Sequence, residues 1–241
     1  RVMVGVIDSG VADNPDLEGN VYWDMARDFY NGTSGKAAVT DDLSGHGTMV
    51  SGVIGAKGNN GIGVTGICWN IAIVPMQASY NDDGRHVDSS AVTKAIDYAI
   101  KNNIPIINCS FGSKSSYVPF SGVMKSYKGL IVCGAGNNGE NSDDNCFYPA
   151  CLDYNNIISV AATKKESYTL ADKSDWLYGS NHGISHVDIA APGTDVMTTT
   201  VETDNATGYK DCDGTSMATP FVAGVAALIL SVRPGLPGEH L

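Results

Sequence analysis

Positive charge is scarce in this chain: 15 Lys and Arg stand against 26 Asp and Glu, a formal charge of −11 at pH 7. A phosphate backbone recruits basic surfaces, so nucleic acid is not an expected partner. Long apolar runs are also missing. The longest, residues 221–230, is half of the roughly 20 residues a membrane-spanning helix needs. It reads instead as a buried helix built on small residues, and no membrane span is expected. A leader is missing too, because Arg1 runs straight into the apolar residues 2–7. The chain therefore reads as a mature form or a trimmed piece.

Cysteine is sparse, and six residues are too few for a disulfide-dense scaffold. Cys146 and Cys151 bracket a four-residue loop that a bridge could close, and spacing leaves the bridged and free states equally open. Cys109 and Cys133 lie in apolar runs, where buried free thiols are expected. Cys68 and Cys212 have no assigned partner. The compartment leans oxidising.

Short apolar segments and helical patterns do fill the chain. Strands are expected at 2–8, 71–77, 105–111, 130–135, 157–162 and 187–190, and helices at 46–56, 88–102, 120–127 and 216–232. In the second helix Val92, Ala95, Ile96, Ala99 and Ile100 recur at helical spacing. Strands apolar on both faces, separated by helices, point to an α/β three-layer sandwich with a mostly parallel sheet flanked by helices. No linker or repeat divides it, so residues 1–241 read as one domain. Ligands of such sheets bind beyond the carboxyl ends of the strands. Asp8, Ser110 and Asn137 all fall at that rim.

Three short segments carry chemistry. Asp8-Ser9-Gly10 ends the first strand, and Gly45-His46-Gly47-Thr48 opens the first long helix. Gly214-Thr215-Ser216-Met217-Ala218-Thr219-Pro220 opens the last helix, with Pro220 expected in its first turn. A serine hydroxyl becomes nucleophilic when a base takes its proton and an acid orients that base. A helix N-terminus adds free N–H groups and a positive dipole end for a developing oxyanion. Each segment alone is an ordinary turn; together they specify an acyl-transfer site.

The three segments resemble the signature segments of the subtilisin-like serine proteases, the subtilases, and the likeness spans nearly the whole chain. The order Asp, His, Ser is that family's known order. The resemblance implies a serine endopeptidase with Ser216 as nucleophile, His46 as general base and Asp8 as its orienting carboxylate. It makes Asn137, in Gly134-Ala135-Gly136-Asn137, a donor to the oxyanion. It places extended substrate along Ser110, Phe111 and Gly112 on one side and the stretch 85–89 on the other, with pairing by strand addition. Phe111, Ser89 and Val92 would line a more distant pocket. Gly134, Ala135, Gly136 and Phe147 would border the primary pocket. Relatives carry a small residue where Phe147 precedes Tyr148-Pro149, which implies a shallow pocket for slim side chains and a cis Tyr148-Pro149 bond.

Residues 59–64 resemble the family's calcium loop. The implied ligands are the Asp16 carboxylate, the Asn60 side chain and the carbonyls of Gly58, Ile62 and Val64, an all-oxygen set suited to Ca²⁺. The family further implies a polypeptide substrate, an inhibitory propeptide in the precursor, a monomer, and a secreted or extracytoplasmic location. It also implies that this chain is short at both ends. Gly61-x-Gly63-x-x-Gly66 matches a dinucleotide fingerprint as a pattern, yet a helix precedes it and a strand follows, the reverse of what that fingerprint requires. A catalytically silent binding protein on the same fold is the alternative reading, and the four intact catalytic positions weigh against it.

Overall fold

The computed structural model describes residues 1–80, 86–167, 169–174, 179–201 and 208–241. The strands are β1 (Met3–Asp8), β2 (Arg27–Asp28), β3 (Thr33–Ser34), β4 (Ala72–Gln77), β5 (Ile106–Cys109), β6 (Leu130–Gly134), β7 (Ile157–Thr163), β8 (Ile189–Pro192), β9 (Val196–Thr199) and β10 (Tyr209–Cys212). The α-helices are α1 (Lys36–Val39), α2 (His46–Gly55), α3 (Ser89–Lys101), α4 (Ser121–Ser126) and α5 (Thr215–Val232).

Eight strands form one sheet in the order β3-β2-β4-β1-β5-β6-β7-β8, and β9 pairs with β10 in a separate ribbon. Every pair in the large sheet is parallel except β2 with β3. Strand β1 lies between β4 and β5, so the winding reverses there. That reversal opens a crevice beyond the carboxyl end of β1, where open α/β sheets bind ligands.

Two apolar clusters cover the two faces. Val4 and Val6 of β1 point to one, with residues of α2 and α5. Ile7 points to the other, with Ala91, Ala95 and Ala99 of α3 and Met124 of α4. Alternation along β1 thus feeds both layers, as a strand buried on both faces must. Asp88 caps α3 by accepting from the Ala91 N–H at 2.8 Å.

Four features depart from the sequence reading. The last parallel strand lies at Ile189–Pro192 rather than 187–190, because the short edge strand pairs where β7 leaves an open ladder. The ribbon β9–β10 and the short strands β2 and β3 carry too few apolar residues to announce themselves. Pro220 falls in the second turn of α5, not the first. Finally, α5 is 18 residues long and apolar enough to cross a membrane by length and composition, although 56% of it is buried within the fold. Its burial on the sheet and α2 is that of a core helix. All six cysteines are free, so Cys146 and Cys151 are unbridged, and Tyr148-Pro149 is cis.

Candidate active site

Gly47 lets α2 approach the end of β1. A Cβ there would lie 2.0 Å from the Gly10 carbonyl oxygen and 3.1 Å from the Asp8 Cβ, so only glycine fits. With Gly45 at the N-cap, the cap residue has no side chain to offer α2. Neighbours supply the acceptors instead. The Gly47 N–H donates to Ser9 Oγ at 2.9 Å, and the Thr48 N–H to Asp42 Oδ2 at 2.9 Å. Ser9 Oγ in turn donates to Asp42 Oδ1 at 2.7 Å. This network fixes the first turn of α2, and with it the His46 ring.

His46 Nδ1 lies 2.7 Å from Asp8 Oδ1. That oxygen also accepts from the Ser9 N–H at 2.8 Å. Burial on its own would push the His46 pKa down. The Asp8 charge, the hydrogen bond to Asp8 and the Asp42 charge together outweigh it, and the pKa is raised above 6.5. The His46 side chain keeps 30% of its surface exposed and Asp8 only 5%, so the pair presents imidazole to the cleft and hides the carboxylate.

Ser216 is the second residue of α5. Its N–H lies in the first turn, where the helix has no carbonyl four residues earlier to accept from it. Gly214 adopts φ +135°, a region glycine tolerates, and a Cβ there would lie 3.3 Å from Asn137 Nδ2. Asn137 is held from the same turn, since Thr215 donates to its Oδ1 from both N–H and hydroxyl, each at 2.9 Å. Those two donors settle which end of the amide is oxygen, leaving Nδ2 as the donor beside Ser216.

Ser110 and Ser216 exchange hydrogen bonds. Ser216 Oγ donates to the Ser110 carbonyl at 3.1 Å, and Ser110 Oγ donates to the Ser216 carbonyl at 2.9 Å. The second bond exists because Pro220 has no N–H to offer the carbonyl four residues earlier. Asn108 Nδ2 completes the chain by donating to Ser110 Oγ at 2.9 Å.

A cleft of about 450 Å³ brings together Asp8, His46, Ser110, Phe111, Gly112, Gly134, Gly136, Asn137, Phe147 and Ser216. Ala135 lies beneath it rather than on its wall: it is buried, its N–H bonds to Val160 and its carbonyl accepts from Asn181. The Phe147 ring sits between the two walls, so a Cβ at Gly112 would lie 2.4 Å from its Cε1 and one at Gly136 2.7 Å from its Cγ. A second pocket of about 190 Å³ is lined by Ser89, Phe111, Tyr117, Phe120 and Tyr148, among others. Val92 is not part of it; it is fully buried in the core under α3. Val87 borders both pockets, while Arg85 lies outside the described residues.

Sequence reasoning missed three contributors: Thr215 as the anchor of Asn137, Asp42 as the cap of α2, and Lys210, whose exposed side chain lines the cleft. Thr215 lies inside the third signature segment and Asp42 three positions before Gly45, so a search for polar residues in and beside those segments would have found both. Cys212 is half-buried against Met49, and burial pushes its thiol pKa up.

Asp16, Asn60, Ile62 and Val64 come together at one loop. Asp16 is fully buried and accepts from Asn60 Nδ2 at 2.6 Å and the Val64 N–H at 2.7 Å. Asn60 thus turns its nitrogen toward Asp16, while its Oδ1 accepts from the Ile62 N–H at 3.2 Å. Among the described residues no group of three or more His, Cys, Asp or Glu forms a metal cluster. An oxygen-seeking cation here would need the Asn60 amide turned, so that Oδ1 replaces Nδ2 beside Asp16 and the Ile62 N–H is released.

The profile of the Subtilase family, Peptidase_S8, matches residues 1–241. The chain is 33% identical over 247 residues to subtilisin-like protease 2 of Plasmodium falciparum (isolate 3D7), covering 96% of this chain and 17% of that protein. It is 33% identical over 234 residues to an intracellular serine protease of Paenibacillus polymyxa, covering 95% of this chain and 66% of the relative. The minor extracellular protease Epr of Bacillus subtilis (strain 168) is 33% identical over 237 residues, 97% of this chain and 33% of that one. This chain therefore spans less than two thirds of the length of these relatives. A cold adapted subtilisin-like serine proteinase of known crystal structure superposes with a TM-score of 0.75 at 28% identity, over 99% of this chain and 78% of the other. The chain belongs to the subtilase family.

Proposed function

We propose that the protein is an endopeptidase that cleaves polypeptides through an acyl-enzyme at Ser216. The observation that carries this reading is the His46 Nδ1 to Asp8 contact of 2.7 Å, in one cleft with a serine at a helix mouth. Ser216 Oγ attacks the carbonyl carbon as its proton passes to His46 Nε2. Asp8 keeps Nδ1 protonated and stabilises the imidazolium that forms. The oxyanion accepts from Asn137 Nδ2 and the Ser216 N–H, two uncharged donors already in place. His46 then returns its proton to the leaving amine, and water reverses the sequence on the acyl-enzyme. In the free protein the Ser216 hydroxyl donates to the Ser110 carbonyl, so it turns toward His46 when substrate arrives.

The extended substrate pairs by strand addition with the rims at Ser110–Gly112 and Gly134–Gly136. Phe147 fills the primary pocket from beneath and favours small side chains at the cleaved residue. A structural Ca²⁺ is held by Asp16, Asn60 and the carbonyls of Gly58, Ile62 and Val64, and it rigidifies the loop that follows α2. We place the enzyme outside the cytoplasm as a monomer, released from an inhibitory propeptide. A Ser216→Ala comparison on a casein-type substrate tests the central claim: wild-type protein hydrolyses it, and equal activity in both proteins overturns the reading.

A further inference from the structure

A further cavity of about 500 Å³ is bordered by Ser9, the residue that follows Asp8 of the cleft. Ser9, Asp28, Tyr30, Asp41, Gln77 and Tyr80 are among the residues that line it. Tyr80 is also a wall of the aromatic-lined pocket of the groove, which places this cavity on the same side of the bound peptide. In an extended chain successive side chains alternate. If the cleaved residue points between Ser110–Gly112 and Gly134–Gly136, the residue before it points toward this cavity.

Its chemistry is one-sided. Asp28 is 3% exposed, and the donors that reach it are the N–H groups of Tyr30 and Asn31 and the Asn31 amide. Among the described residues neither Asp28 nor Asp41 has an ion-pair partner. Gln77 Oε1 is a buried acceptor with no donor among the described residues. Tyr30 and Tyr80, each 47% exposed, stand with ring centroids 6.0 Å apart at the mouth. The Asp41 carboxylate and two aromatic faces border the cavity, Asp28 and Gln77 add buried acceptors beneath it, and among the described residues no Lys or Arg lines it. A Lys ammonium brings three donors and an Arg guanidinium five, and either is attracted to a tyrosine face.

We propose that this cavity is a specificity pocket for a basic side chain, Lys or Arg, at the substrate residue immediately before the one whose carbonyl is attacked. This rests on the endopeptidase reading and adds a substrate class to it: polypeptides cleaved after a basic–small pair. Asp41, exposed at the cavity wall, supplies the charge that meets the cation. It is not one of the triad, and its neutral replacement leaves the catalytic hydrogen bonds intact.

The test uses fluorogenic peptides identical except at that residue, which is Lys, uncharged norleucine of the same length, or Glu. The Lys peptide is expected to have a kcat/KM roughly two- to fivefold above norleucine, the range for a solvent-accessible charge pair. Glu should fall below both, and 0.5 M NaCl should shrink the Lys advantage. In Asp41→Asn the Lys advantage should vanish while the norleucine rate holds. A Lys-to-norleucine ratio of one, or one unchanged by Asp41→Asn, overturns the inference. A serine-directed fluorophosphonate probe separates the two levels. Labelling at Ser216 with an unchanged ratio sinks the pocket alone; no labelling and no hydrolysis of any peptide sinks the protease reading and the pocket with it.

Discussion

Removing the Ser110 hydroxyl should destabilise the fold far more than its one oxygen suggests. Ser110 is 5% exposed and Asn108 fully buried. Ser110→Ala leaves the Ser216 carbonyl without a donor, because Pro220 cannot supply one, and strips Asn108 Nδ2 of its acceptor. Each orphaned group costs about 1–3 kcal/mol, so the pair costs about 2–6 kcal/mol. For a chain of this size that lowers Tm by about 4–24 °C. The decisive comparison adds Pro220→Ala, which restores an N–H to the helix and gives the carbonyl at 216 a partner without Ser110. In that background Ser110→Ala should cost about 1–2 kcal/mol less. Urea unfolding of all four proteins, in a Ser216→Ala background to prevent self-digestion, measures the cycle. Costs that add to within about 0.5 kcal/mol refute the argument, since uncoupled sites behave that way.

Five further outcomes follow from the site. Because His46 must be neutral to accept a proton, kcat/KM should fall on acidification with a midpoint above 6.5. The same raised pKa means that protonated His46 favours the folded state at pH below its unfolded value, a contribution lost as pH rises through the higher folded value; a stability–pH series on Ser216→Ala reads it. Phe147→Gly should open the primary pocket and shift a peptide-library profile toward large aromatic residues; a wild-type profile already dominated by aromatics contradicts the plugged pocket. Asn137→Ala should lower kcat about 10²–10³-fold with little change in KM, the loss known for the corresponding donor in this family. Chelation by EDTA should lower Tm and speed self-digestion, and Asp16→Asn should abolish the chelator's effect; a Tm indifferent to EDTA and Ca²⁺ removes the metal.

Much of the candidate site is legible in the sequence because each candidate catalytic group sits inside a glycine-flanked segment at an element boundary. Gly47 and Gly214 mark places where backbone must pass close to Gly10 or Asn137, and close approach leaves a compositional trace. The parallel strands are legible for a related reason: burial on both faces demands unbroken apolar runs. What escapes is set by tertiary partners. Nothing near Pro220 in sequence reveals that Ser110, 110 positions earlier, would satisfy the carbonyl the proline abandons. Val92 has the spacing of a helix face, and spacing alone cannot say whether that face meets core or groove. The Asn60 amide is written the same way in sequence whichever end it turns to Asp16. The cavity between Tyr30, Asp41 and Gln77 is assembled from three separate segments, none of which carries a motif.

The placement of the proposed nucleophile on α5 also bears on when the proposed activity would appear. Asp8 and His46 are 38 positions apart, whereas Ser110 and Ser216 are 106 apart. Helix α5 packs across β5, β6, β7 and β8 and against α2. It can dock only after those strands have aligned, and contacts so distant in sequence form slowly. Until α5 docks, Ser216 is not held beside the Asp8–His46 pair. On the proposed mechanism, proteolytic competence would arrive only with the closing of the core, and a partly folded molecule would be a substrate for finished copies before it could cleave anything itself.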